Sequence, residues 1–298
     1  MTFPRSLALT LIVLLGVPLL YAPLIRAQSA PAIRDANLTF TTIDVPGAGV
    51  TNVLGINTAG DMVGDYGADS SSPARGFLLR DGNFTLFDYP GGNDTVPVGI
   101  NDSGVISGSS FVRNYTGIVS FLYNGNTFKT IRAPGKTVTL ANGINNAGII
   151  VGGYGSLAAT KGFVRIGSSF KTILPPGEYI NVFGNGINNF QQVVGAGDDT
   201  GFFYSHGQFK TIAVPGASIT KPLGINDTRI IVGWYSAVTC VCGFSFMNGK
   251  YIKVSYPGAM YTFALGINDS GQIVGSYTLD QQTYHGFVTS PITAADFE

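Results

Sequence analysis

The tripeptide Gly-Ile-Asn recurs six times in this chain, beginning at Gly55, Gly99, Gly143, Gly186, Gly224 and Gly266. Successive copies lie 44, 44, 43, 38 and 42 residues apart. A period of about 40 residues marks one supersecondary unit copied in series, and a single unit of that size cannot bury its own hydrophobic face. The copies must therefore stack on one another or close into a circle.

One unit reads as four short strands. In Gly143-Ile-Asn-Asn-Ala-Gly-Ile-Ile-Val-Gly-Gly-Tyr154, the Asn-x-x-Gly between two apolar runs fits a type I turn with Asn first and Gly fourth. In the fourth and fifth units that Gly is replaced by Gln191 and Arg229, so those turns are expected to differ if the position needs positive φ. A third strand carries Gly-Phe or Ser-Phe (Phe77, Phe121, Phe163, Phe202, Phe244, Phe287). A fourth, such as Phe170-Lys-Thr-Ile173, alternates apolar and polar residues and stops at Pro-Gly. Four strands per 40 or so residues match a propeller blade.

The ends of the chain point the same way. The sixth unit runs out after its third strand, Gly286–Thr289, while a spare strand, Phe40-Thr-Thr-Ile43, precedes the first Gly-Ile-Asn. If that strand completes the last unit, both free edges disappear. A linear solenoid would instead show atypical capping units, so the expectation is an all-β, six-bladed β-propeller, favoured over solenoids and paired sheets. Residues 39–291 form this single domain, preceded by a linker at 28–38 and followed by a tail at 292–298.

Composition narrows the partners. The chain has 17 basic and 17 acidic side chains among 298 residues and a formal net charge of +0, which gives no field to attract nucleic acid or anionic lipid. Residues 1–27 read as a signal peptide: Arg5, an apolar run from Leu7 to Ile25 broken by Pro18 and Pro23, then Ala27-Gln28-Ser29. Cleavage after Ala27 implies a secreted, extracellular or periplasmic protein; an uncleaved segment would be a membrane anchor. The two cysteines, Cys240 and Cys242, lie on one side of a strand with their Cα atoms held near the upper limit for a bridge. No metal or cofactor is expected, since no Cys/His set has ligand spacing and the histidines are His206 and His285.

The Gly-Ile-Asn…Gly-x-Ile-Val-Gly core and the Gly-Phe element, closest at His285-Gly286-Phe287, resemble the HAF family of extracellular repeats in secreted bacterial proteins. The resemblance covers about residues 39–289. Gly or Ser stands for the middle Ala throughout, and one unit has the leading His. It implies an exported bacterial protein of propeller type and brings no catalytic residues.

The six asparagines have two readings: a polar ring at one mouth of a central channel, able to hold a cation or water, or caps on their own turns, which the turn chemistry favours. Residues that the copies do not share are better candidates for a specific role. With the Gly-Ile-Asn strand innermost, the loops after each second strand share a face with the Pro-Gly loops. The candidate binding residues there are Asp65, Asp69, Arg75, Tyr115, Lys161, Asp198, Trp234, Tyr235, Tyr261, Tyr277, Asp280 and His285, with Glu178, Tyr179, Asp199 and Tyr284 nearby. Trp234-Tyr235 and the tyrosines offer rings for sugars or a protein hot spot. For Tyr66, Tyr154, Tyr235 and Tyr277, which recur at one position, packing between units is the plainer role. No catalytic residue is assigned. The sequence supports a monomeric, non-catalytic module for a glycan or surface protein, the alternatives being a polysaccharide hydrolase or lyase with paired carboxylates, or a structural envelope component.

Overall fold

The computed structural model describes residues 33–112 and 117–298; the leader segment and Tyr115 lie outside the described residues. The third copy forms four consecutive antiparallel strands, Val138–Ile144, Ile150–Gly155, Thr160–Ile166 and Ser169–Ile173. The first, second, fourth and fifth copies repeat this order. The sixth supplies Tyr261–Ile267, Ile273–Thr278 and His285–Thr289, and its fourth strand is Phe40–Ile43, paired antiparallel from Phe40 opposite Thr289 to Ile43 opposite Gly286. Parallel bridges at Val138–Ile118 and Val241–Tyr261 join neighbouring copies into sheets of eight and nine strands.

The recurrent phenylalanine of the third strand is the centre of each unit. Phe77, Phe121, Phe163, Phe244 and Phe287 are fully buried. Each meets the first aromatic ring of the fourth strand edge-on: Phe84, Phe128, Phe170, Tyr251 and Phe40, with centroids 5.0–5.8 Å apart. That geometry suits the ring quadrupoles. Phe40, from the other end of the chain, thus does for Phe287 what local sequence does elsewhere.

Turn chemistry follows the residues. In the first hairpin Gly60 N–H donates to Asn57 O at 3.0 Å, Asn57 N–H donates to Asp61 O at 3.0 Å, and Gly60 has φ +89°. Gln191 (φ 59°) and Arg229 (φ 66°) close the same turn with the same bond to Asn188 O and Asn226 O. The expected difference is absent, because the Asn side chain fixes the turn and the residue at the fourth place accepts the left-handed backbone. Replacing either by Gly is expected to stabilise the protein by about 0.5 kcal/mol, relief of left-handed strain being partly offset by the freer unfolded chain. A melting curve checks this; a lower Tm would contradict it.

The Pro-Gly turns have Gly at positive φ, as in Val45-Pro46-Gly47-Ala48, where Ala48 N–H donates to Val45 O. A threonine at the start of the next inner strand then accepts from the N–H of the residue before Pro. The pairs are Val45 N–H to Thr51, Tyr89 to Thr95, Ala133 to Thr139, Val214 to Thr220 and Tyr256 to Thr262, at 2.8–3.1 Å. Val182 stands there in the fourth copy.

Three expectations need correction. Within the segment read as a linker, Arg34–Asp35 pairs in parallel with Ile252–Lys253. The segment read as a tail forms a short 3-10 helix, Ala294–Phe297, with Ile292 and Phe297 buried. Apolar side chains at both ends find cover against the Lys250–Val254 strand and its surroundings. Cys240 and Cys242 are bridged with Cα atoms 5.6 Å apart, inside the ordinary range and not at its limit. Among the described residues, no helix is long and apolar enough to cross a membrane.

Candidate functional site

Strand alternation sorts the molecule into two faces. The Gly-Ile-Asn hairpins and the turns between third and fourth strands lie at one end of the strands. The Pro-Gly turns and the loops after the second strands lie at the other. The second group differs most between copies, and there the structure disperses most of the expected binding residues.

Asp65 is buried, with Asn52 Nδ2–H donating to it at 3.3 Å. Asp69 is fully exposed and binds its own loop: the N–H groups and hydroxyls of Ser71 and Ser72 donate to it and hold its carboxyl down at about 2. Asp280 does the same for Gln282 and Thr283, whose N–H groups pull its carboxyl below the ordinary range. Arg75 forms an ion pair with Asp88 across two strands, and His285 pairs with Asp44 at 2.8 Å in the corresponding place. Asp198 accepts the N–H groups of Ile180 and Asn181 at 3.1 and 3.0 Å. Each of these side chains braces a loop or a strand pair.

The aromatic candidates divide as well. Trp234 and Tyr235 are 2% and 5% exposed, so neither offers a ring face to a ligand. Trp234 packs edge-on against Phe263 at 5.7 Å, among Leu223 and Leu265. Tyr277 is buried between Tyr256, stacked at 3.5 Å, and His285 at 5.2 Å. Burial raises the Tyr277 phenol to about 12. Tyr261 is half-buried beside Phe263.

Lys161 is different. It lines an open groove of about 940 Å³ together with Lys136, Tyr154, Leu174, Glu178, Tyr179 and Ile180. One wall is the loop after the third copy's second strand, and the other is the connection from the third copy to the fourth. Thr160 joins the walls, donating its N–H to Ile180 O at 3.3 Å and its hydroxyl to Asn181 Oδ1 at 3.1 Å. Asp198, itself outside the lining, fixes the Ile180 end through the bonds given above. The Tyr179 ring lies where a Cβ on Gly197 would come within 2.6 Å of it, so that glycine seats the ring. Lys136 Nζ lies 5.9 Å from the centre of the Tyr154 ring, within cation–π range. Leu174 and Ile180 are 45% and 65% exposed. The groove therefore offers two held aromatic rings, two ammonium groups, one carboxylate and an apolar rim. A ring with one apolar face and polar edges suits such a lining.

At the opposite face, each recurrent asparagine does two jobs. Its Oδ1 accepts the N–H four residues on, at 2.9–3.0 Å in all six copies. Its Nδ2–H donates to the main-chain oxygen of the next copy's asparagine at 3.0–3.3 Å: Asn57 to Asn101, then Asn145, Asn188, Asn226 and Asn268, and from Asn268 back to Asn57. The turn-capping role holds, and the same amide also ties neighbouring copies together. A small axial cavity of about 120 Å³ lies inside this circuit.

The side chains lining that cavity were not foreseen. Every inner strand carries a bulge just before its Gly, for example between Ala141 and Gly143. The residues there are Leu54, Val98, Asn142, Asn185, Leu223 and Leu265, and all six line the cavity. The available signal was that this position varies while the following three residues do not.

The sequence matches no protein-family model and no curated protein. Similar folds do occur among solved structures. A catalytically inactive virginiamycin B lyase from Staphylococcus aureus with quinupristin is 11% identical, with 85% of this chain and 100% of that one covered and a TM-score of 0.51. A protein assigned as a gluconolactonase is 13% identical over 87% and 94% of the two chains, with a TM-score of 0.52. The lectin of Aleuria aurantia with Fucα1-6GlcNAc is 10% identical over 85% and 99%, at 0.49. At these identities the likeness concerns architecture alone. The chain has an all-β fold whose structural neighbours are β-propeller proteins.

Proposed function

We propose that this protein is a secreted bacterial β-propeller of six blades, closed by Phe40–Ile43, that binds a glycan in the groove between its third and fourth copies. The observation that carries the binding reading is the groove itself. Its walls are loops the copies do not share, and they set Tyr179, Lys136, Lys161 and Glu178 beside Tyr154 at the end of the second strand. Sugar rings stack on tyrosine faces through their C–H groups while their hydroxyls reach the charged edge. A hydrolase would need a pair of carboxylates, but on this face Asp65 braces a strand pair and Asp69, Asp198 and Asp280 hold loops. The resemblance to HAF repeats and the character of residues 1–27 support export.

A glycan and polysaccharide array on the protein from Gln28 onward tests the reading, with reducing-end release measured on every hit. Tyr154→Ala and Lys161→Ala are each expected to weaken binding about tenfold, as loss of a ring or charge contact does. Lys161 is exposed and its loss should leave Tm little changed, whereas Tyr154 also stacks on Phe163 and its loss should lower Tm. Hits insensitive to both substitutions would remove the groove from the account. Release of reducing ends would replace binding by hydrolysis.

A further inference from the structure

The axial cavity at the hairpin face has a chemistry distinct from the groove. All six copies contribute to its lining; three lining side chains are carboxylates, Asp102, Asp227 and Asp269, and none is basic. The three acids follow directly on the recurrent asparagines of the second, fifth and sixth copies. Each is fixed at the rim by an N–H from the preceding copy, from Thr58, Asn189 and Asp227 respectively, at 2.8 Å. The asparagines themselves are committed to turn and neighbour, as described above.

The inner end of the cavity holds an independent sign of a ligand. Asn142 is 2% exposed, and its Nδ2–H groups donate to Gly184 O at 3.1 Å and to Asn185 Oδ1 at 3.3 Å. That orientation leaves its Oδ1 without a protein partner. The other side chains at this level are Leu54, Val98, Leu223 and Leu265, which donate nothing, plus Asn185, whose Nδ2–H goes to Pro222 O at 2.9 Å. A buried amide oxygen without a donor calls for water or a cation. The rim decides between them, since three carboxylates and no base concentrate negative potential in a narrow recess.

We propose that this cavity is a site for a hydrated divalent cation, entered between Asp102, Asp227 and Asp269 and ending at the Asn142 side-chain oxygen. Oxygen-only donors select hard cations such as Mg²⁺ or Ca²⁺. The ion keeps its water shell, because among the described residues no three acidic, Cys or His side chains converge to grip a bare ion. Bound water then bridges the rim carboxylates and the Asn142 oxygen.

Calorimetric titration of chelator-treated protein with MgCl₂ and with CaCl₂ tests the proposal. One saturable event per chain is expected for at least one of them, with Kd of about 0.1–1 mM, the weak end of oxygen-ligand sites. Asn142→Leu and the pair Asp227→Asn with Asp269→Asn, which keeps the hydrogen-bond acceptors, should each weaken it at least about tenfold, while Tyr154→Ala leaves it unchanged. Should those variants misfold, Mn²⁺ added to wild-type protein gives a second reading. The amide signals of Gly143, Gly186 and Gly266 should broaden and those of Lys161 and Ile180 should not. No saturable event for either ion, binding indifferent to both variants, or broadening confined to the loop face would each overturn the proposal.

Discussion

Gly152→Ala is expected to cost about 3 kcal/mol or more, a loss of about 6–12 °C in Tm for a chain of this size. Gly152 belongs to the Ile-Val-Gly of the second strand and lies opposite Ala141, beside the bulge of the inner strand. A Cβ there would come within 1.7 Å of Leu140 O and 3.0 Å of the Phe163 ring. Both obstacles are fixed: one is main chain in a buried ladder, the other the central ring of the unit. The same clash recurs at Gly64, Gly195, Gly233 and Gly275, at 1.9–2.0 Å from a carbonyl oxygen. The glycine is thus required by the bulge and not by flexibility. Gly148→Ala is the control: its Cβ would meet nothing within 4 Å, and its φ of +72° should cost only about 1 kcal/mol. Chemical denaturation of both variants checks the order. A Gly152→Ala protein within about 1 °C of wild type would show that the strands part more easily than described.

Deletion of Phe40–Ile43 is the second large effect. It strips the ladder from His285–Thr289, removes the Phe40 contacts to Phe287 and Tyr256, both at 5.3 Å, and opens Val53, Val274 and Phe287 to water. The bared edge is a template for other chains. The expected product aggregates or melts without a cooperative transition, whereas Phe40→Ala alone should cost roughly 3 kcal/mol and stay folded. A peptide spanning residues 37–46 added in trans should restore solubility. A deleted protein that is monomeric and melts like wild type would rule out the role given to this strand.

Much of the local structure was legible because turn residues act within four positions. Asn57 to Gly60, Pro46-Gly47 and the alternating Phe170 to Ile173 each carry their own conformation. The pairing of Phe40–Ile43 with Gly286–Thr289 could be read because a unit lacking its fourth strand has one obvious donor. What the sequence did not disclose depends on which side a residue faces and on what another copy brings near. Trp234 and Tyr235 look like exposed rings after a second strand, yet Trp234 lies opposite Lys221 in the ladder and turns inward. Lys161 reaches a groove only because Leu174–Ile180 of the next connection lies beside it, and no spacing within one unit predicts that. The bulge before Gly143 is likewise invisible in a period-two reading, and it is the bulge that sends Asn142 toward the axis.

The central claim is that ligand recognition resides in the unequal loops and not in the repeated hairpins. Hydrogen–deuterium exchange with and without the tightest array ligand tests it most directly. Protection is expected in 135–137, 155–161 and 174–180, with the hairpins at Asn57, Asn101, Asn145, Asn188, Asn226 and Asn268 unchanged. Protection centred on those hairpins, with the groove exchanging as before, would contradict the account.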